Sequence, residues 1–546
     1  MMREFARINL VLVLAGLVLG QSSQPQFESS DVHISAHNVN PYGRGGVIRG
    51  GRYELRNATM VDLIRTAYSV DADKVVGGPS WLEWDRFDVI AKTPPAAPAE
   101  TAKTMLQGLL ADRFKLVVHQ DTNPLPSYAL TAGKGKLKLK EAEGSGDTGC
   151  RSALEGLEAQ PAGASAVAPA VSYSCHNMTM AAFAAGMHKL VVAQTYLRNN
   201  NPVLDQTELK GAWDFNFQYT LFLRGLAPGT QTTSLFDAID RQLGLKLESI
   251  NVPTAVIVVD SVNQKPTDNL PGVSETLPVL PAEFEVADVR PTAPDSKGLR
   301  LLVEPSGRVN IRGVTLKLLI QQAWHVTDEM IVGAPKWLDA DRFDIIAKVP
   351  EAYTGPPPAP PADLDSVWPM IRTLLADRFK LTAHTEDQTV SAYTLLAAKP
   401  KLKKADPLSR TGCKDGPGPG GKDPRDTDAT ISRVVSCQNV TMGQFAERLQ
   451  RLAVGYVHNE VSDGTGIGGA WDFTLSFSPA GILRGGGGRG GDGGQPSEGA
   501  PSASDPSGGI SLFDALTKQL GLKLEMQKRA LPVLVIDHVE ETPTDN

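Results

Sequence analysis

Past its first twenty residues this 546-residue chain has no apolar run that approaches the roughly 20 residues a membrane-crossing helix needs. It has only four cysteines and nine histidines, and no His-Glu-x-x-His, Gly-x-Ser-x-Gly, P-loop or complete beta-lactamase motif set. Those absences exclude the helical zinc peptidases, the nucleophile-elbow hydrolases, the P-loop nucleotide enzymes and the serine beta-lactamases, and leave no cofactor to expect. Positive charge is also short. Lys and Arg number 54 against 61 Asp and Glu, a net charge of −7, which argues against a nucleic-acid partner.

The first residues read as a secretory signal peptide over 1–20. Arg3 and Arg7 precede an uncharged run from Ile8 to Leu19, and Gly20 is a small residue suited to cleavage. Cleavage leaves no transmembrane span and a secreted or periplasmic protein; an uncleaved anchor is the alternative. No Cys follows the run, so a lipid anchor is not expected.

The cysteines fall into two similar pairs, Cys150 with Cys175 and Cys413 with Cys437. In an exported chain this pattern predicts two disulfides, each closing a loop of about 25 residues and contributing roughly 3 kcal/mol in the loop-entropy treatment. No Cys-x-x-Cys or His-x-x-x-His stands near either pair, so no metal site is expected there.

Self-comparison is the most informative step. GGPSWLEWDRFDVIAK at 77 recurs as GAPKWLDADRFDIIAK at 333, LLADRFKL at 109 recurs at 374, KGAWDF at 210 as GGAWDF at 468, and SLFDAIDRQLGLKLE at 234 as SLFDALTKQLGLKLE at 511. PTDN closes both copies, at 266 and 543. Residues 27–269 and 284–546 are therefore two copies of one unit. Thr59, Thr179, Thr315 and Thr441 each stand before an apolar helical period, as an N-cap does. The expected fold class is α+β, a tandem duplication in which each copy holds two small lobes of βαββαββ order. The lobes span 27–132, 173–269, 284–397 and 433–546, joined by linkers at 133–172, 270–283 and 398–432. The Pro-rich stretch 349–362 and the run RGGGGRGGDGG within 479–509 read as insertions.

The motifs F-E-x-x-D-V, G-x-P-x-W-L-x-x-D-R-F-D-x-x-A-K, L-L-A-D-R-F-K-L-x-x-H, G-A-W-D-F and D-H-V-E-x-x-P-T-x-N, taken together, resemble a bacterial family of secreted proteins of unknown function, known chiefly from soil organisms. Its members resemble one such unit, and similar domains occur fused to membrane metallopeptidases of the beta-lactam-sensor type. The resemblance implies an extracytoplasmic sensing or binding role and supplies no catalytic residues. The βαββαββ order is itself similar to the short N-terminal domains of secretins and of signal-transducing TonB-dependent receptors.

Four residues are candidates for binding. His119 and His384 occupy matching places after FKLVV and FKLTA. A catalytic role would make them general bases near Asp121 or Glu386; the plainer reading is an outward-facing strand residue. Trp81 and Trp337 are either core anchors at strand starts or exposed platforms for peptide or glycan. Asp88 with Lys92, and Asp344 with Lys348, alternate onto one strand face, which is either a binding groove or solvated. GTGIGG at 464 reads as a turn. Asp-Arg-Phe occurs four times; at LLADRFKL it reads as a helix-to-strand connection in which Asp112 pairs locally with Arg113. The expectation is a non-enzymatic exported protein serving ligand sensing, envelope interaction or scaffolding, with a peptide, glycan or envelope partner. The alternative is an extracytoplasmic hydrolase of peptide or glycan that uses acidic residues.

Overall fold

A computed structural model describes residues 25–545, apart from 37–41, 96, 99, 145, 156–168, 192, 194–196, 198–200, 222–231, 295–297, 354–361, 419–432, 454, 459 and 479–508. The expected signal peptide and the glycine-rich run lie outside the described residues, as do parts of the linkers 133–172 and 398–432 and of the Pro-rich stretch. Six four-stranded sheets and four apolar cores form among the described residues, two cores in each half.

The first half opens with β1 (Ser29–Ile34), β2 (Arg44–Arg49), β3 (Arg52–Thr59) and α1 (Met60–Tyr68). Thr59 is extended, its hydroxyl accepts from the Asp62 N–H at 3.1 Å, and the Asp62 carboxylate accepts from the Thr59 N–H at 3.0 Å. Such a cap contributes about 1 kcal/mol. Thr441 caps α9 (Met442–Leu452) with the same reciprocal pair, through Gln444, while the Thr179 and Thr315 hydroxyls only accept, from the Ala182 and Leu318 N–H groups, at the starts of α3 (Met180–Gly186) and α6 (Leu316–Trp324).

Just before each cap the strand bulges around a left-handed residue: Asn57 (φ 51°), Asn177 (φ 49°), Gly313 (φ 63°) and Asn439 (φ 51°). Asn and Gly tolerate this conformation best. Each donates its N–H to an aspartate on the neighbouring strand, Asp88, Asp214, Asp344 and Asp472, at 2.8, 2.8, 2.9 and 2.9 Å. The Arg-Phe-Asp and Trp-Asp-Phe segments are thus one device used at four places, with the aspartate satisfying a donor that the bulge removes from the ladder. Asp88 and Asp344 are committed here, not to Lys92 and Lys348, which pair with Glu28 and Glu285 at 2.8 and 2.7 Å.

The two cores of a half are interleaved. β6 (Val117–Ala132) and β12 (Leu245–Ser261) pair antiparallel along their whole length, from Val117 opposite Ser261 to Ala132 opposite Leu245. β6 leaves the first core and delivers Tyr128 and Leu130 to the second, while β12 leaves the second and returns Ile257 and Val259 to the first. Short parallel strands, β4 (Val75–Gly77) and β10 (Val203–Asp205), flank only the arriving ends. Between them Pro124, directly opposite Pro253, and Pro126 occupy a stretch where neither strand has an outer partner, the one sheet setting in which proline removes no bond. In the second half β18 (Thr382–Ala397) and β24 (Leu522–His538) repeat the exchange, with Leu395 in the fourth core and Leu534 and Ile536 in the third.

Asp-Arg-Phe divides into three jobs. Its phenylalanines are core partners: Phe87 meets Phe114 edge-on at 4.9 Å, and Phe343 meets Phe379 at 5.0 Å. Arg86 and Arg342 donate to the carbonyls of the bulge residues Asn57 and Gly313, both at 2.7 Å. Arg113 does not pair locally with Asp112. It ends α2 (Thr101–Arg113) buried and reaches the closing PTDN, donating to the Thr267 carbonyl and Asn269 Oδ1, each at 2.6 Å. Arg378 likewise holds the Thr544 and Asp545 carbonyls. Burial explains the difference, because a guanidinium taken out of water needs several fixed acceptors and the tail supplies them.

The halves meet through non-equivalent surfaces. Arg44 of the first half donates to His325 Nε2 at 3.2 Å, and Arg49 to Ser366 Oγ at 3.0 Å. On another side of the same core, Arg410 donates to the Gly77 carbonyl at 2.6 Å and lies 3.7 Å from Glu83, while the Thr411 N–H reaches the Ser80 carbonyl at 3.0 Å.

Candidate functional site

The four residues singled out from sequence are not joined to one another by any hydrogen bond or ring contact among the described residues. His119 sits on the solvent face of the first ribbon, its Nδ1 2.9 Å from Asp260; His384 repeats this with Asp537 at 2.9 Å and Glu386 at 3.6 Å. The neighbouring carboxylates raise the proton affinity of both imidazoles. Each is about half exposed. Trp81 and Trp337 are half-buried against the first and third cores, and Trp81 lies edge-on to Phe87 at 6.2 Å. Trp213 and Trp471 pack on the second and fourth cores with their indole N–H groups buried and, among the described residues, unpaired.

A cleft of about 730 Å³ opens instead beside the second core, a region that sequence reasoning passed over. β8 (Gly149–Glu155), β9 (Ala170–Met178) and β11 (Trp213–Thr220) form its floor, and residues 142–143 and 146–149 form its rim. Cys150 faces Cys175 across β8 and β9, and the two are disulfide-bonded; Cys413 and Cys437 are bonded in the same way in the second half. The bridge joins two strands of the floor.

The lining is polar and carries both signs of charge: Lys140 and Arg151 against Glu143, Asp147 and Asp214, with His176 and Asn177 between. Arg151 pairs with Asp147 at 3.1 Å but both remain largely exposed, so the pair is worth little by itself and is easily exchanged for a ligand's groups. Asp214 is fixed by the Asn177 N–H, and Asn177 Nδ2 donates to Thr148 Oγ1 at 3.2 Å. Ser174 Oγ lies 3.1 Å from His176 Nε2, and His176 Nδ1 lies 3.9 Å from Asp214. The order is that of nucleophile, base and acid, yet the second gap exceeds a hydrogen bond and His176 is 60% exposed. Among the described residues no group of His, Cys, Asp and Glu is placed to hold a metal ion.

The second half has the same segment in another role. Counting from the cysteines, Arg410 replaces Asp147, and 406–412 is drawn against the first half by the contacts of Arg410 and Thr411. Asn439 Nδ2 closes onto the Ser409 carbonyl at 2.7 Å, and Gln438 stands where His176 does. A signal for this was present in the sequence, in the positions where the copies differ.

A family model described as "Protein of unknown function (DUF3738)" matches residues 61–262 and again 317–539. Each match spans both cores of one half. No curated protein and no solved structure matches the chain. No helix among the described residues is long and apolar enough to cross a membrane.

Proposed function

Since the chain belongs through both of its halves to this family of unknown function, we propose that it is a non-enzymatic extracytoplasmic binding protein whose cleft beside Cys150 takes a polar peptide or glycan fragment of the cell envelope. In this reading each half is a pair of βαββαββ units with exchanged closing strands, and two disulfides suit an oxidising compartment. The observation that carries the proposal is the division of labour between equivalent segments: 406–412 joins the halves, whereas residues 142–143 and 146–149 leave an open, disulfide-backed cleft lined by both charges. Such a lining suits a ligand carrying amine, carboxylate and hydroxyl groups. Titration of the full chain with soluble wall fragments, stem peptides and glycans separately, tests it. Saturable binding that Arg151→Ala weakens tenfold or more supports the proposal, and the absence of heat from every fragment refutes it.

A hydrolase is the second reading, favoured by the alignment of Ser174 with His176 and Asp214, of which the last two line the cleft. An active-site serine probe of the fluorophosphonate type decides it. Labelling lost in Ser174→Ala makes the chain an enzyme, and no labelling leaves binding alone.

A further inference from the structure

Where the halves meet, α9 lies against the turn before β5 (Arg86–Lys92), and the Arg448 guanidinium carbon sits 4.1 Å over the Trp84 ring. The repeat partners of both residues are small, Ala340 and Gly186. Arg451 follows one helical turn on, on the same side as Arg448. Arg86 stands two residues past Trp84 and, among the described residues, gives one donor, to the Asn57 carbonyl. Among the described residues Arg448 and Arg451 make no hydrogen bond and no ion pair; the Trp84 ring is what Arg448 touches.

This crowding is electrostatically unfavourable. Burial, with the charges of Arg451 and Arg86, brings the Arg448 proton affinity down to about 9, and burial lowers those of Arg451 and Arg86 too. The carboxylates acting on them are Glu447, which is exposed, and Asp62, already engaged by Thr59 and Arg65. Among the described residues Arg448 and Arg451 have no acceptor and Arg86 has one, so partly dry guanidinium donors are left that call for an acceptor from outside, and planar N–H forks fit oxyanions best.

We propose that the seam is an oxyanion site in which Arg451, Arg448 and Arg86 hold a phosphate- or carboxylate-bearing ligand beside the Trp84 indole. It is separate from the cleft and belongs to neither half alone. The Trp84 indole holds the Arg448 guanidinium over its face and leaves N–H groups for the anion.

The test is titration calorimetry of the full chain at low ionic strength with pyrophosphate and, separately, citrate. Binding of pyrophosphate alone assigns a phosphate-bearing ligand, of citrate alone a carboxylate-bearing one, and of both the shared oxyanion chemistry. In each case Arg451→Gln should weaken binding tenfold or more with the melting temperature kept, and Lys189→Gln at the equivalent place in the first half should change nothing. Arg448→Gly, which installs the first half's residue, should also abolish binding, but Arg451→Gln decides if that variant misfolds. Failure of both anions to bind the wild-type chain, or equal binding by Arg451→Gln, overturns the proposal.

Discussion

Arg113 donates to Asn269 Oδ1 at 2.6 Å, across 156 residues of sequence, and Asn269 in turn accepts the Val32 N–H and donates to Asp31. The arginine of the repeated LLADRFKL segment is therefore a clasp that ties the last residues of the first half to its first strand. Arg113→Ala should destabilise the first half by about 3 kcal/mol, the usual cost of breaking a buried, multiply bonded cation. Asn269→Ala should cost less, and the double variant should cost less than the sum, because both remove one network. Urea unfolding of the three variants checks this; additive losses would mean that the two residues act independently.

The bulge clamp predicts a second pattern. Asp88→Ala leaves the Asn57 N–H and the Ser35 hydroxyl without their acceptor, both now bonded at 2.8 and 2.6 Å, and should cost about 2 kcal/mol. Asp214→Ala, at the equivalent bulge, should cost a similar amount by the same measurement, although its neighbouring residue is Trp213 instead of Arg86 plus Phe87.

Glycine substitutions separate backbone strain from collision. Gly521 (φ +67°) and Gly466 (φ +65°) share a left-handed conformation, but a methyl at 521 would overlap the Lys399 carbonyl, whereas one at 466 meets nothing. Gly466→Ala should cost about 1 kcal/mol from conformation alone, and Gly521→Ala about 3 kcal/mol or more. Equal melting temperatures for the two variants would contradict the packing of the last helix against 398–400.

Stability should depend on pH through the contact between halves. Burial first, then the charges of Arg44 and Arg372, hold His325 down to about 4, so it stays neutral and accepts from Arg44. An unfolded histidine titrates near 6.5. Between about 6.5 and 4 the unfolded chain binds a proton that the folded chain refuses, so stability falls as pH drops through that window. His325→Asn, which keeps a residue suited to the left-handed helix end, should flatten the decline in melting temperature over this range. An unchanged slope would place the pH dependence elsewhere.

Much of this was legible in the residues because it is local and written twice. The Thr caps depend on three or four neighbouring residues, and the cysteine pairs on compartment and count, so duplication made both visible. The strand exchange was not, since alternation in 117–132 looks the same whichever core the strand ends in. Pro124, Pro126 and Pro253 carried the hint, as residues tolerated only where an outer partner is missing. The cleft and the seam were missed because comparison of the copies favoured what they share. The informative positions are those at which they part: Asp147 with Arg410, His176 with Gln438, Trp84 with Ala340, and Gly186 with Arg448.

The central claim, that the first half's cleft is the ligand site, is tested most directly by following the histidine ring resonances of the full chain, selectively labelled, as wall fragments are added. The account predicts saturable movement of His176, with His119 and His384 unmoved on their ribbons. Movement of His119 and His384 with His176 still, or no movement of any, would contradict it.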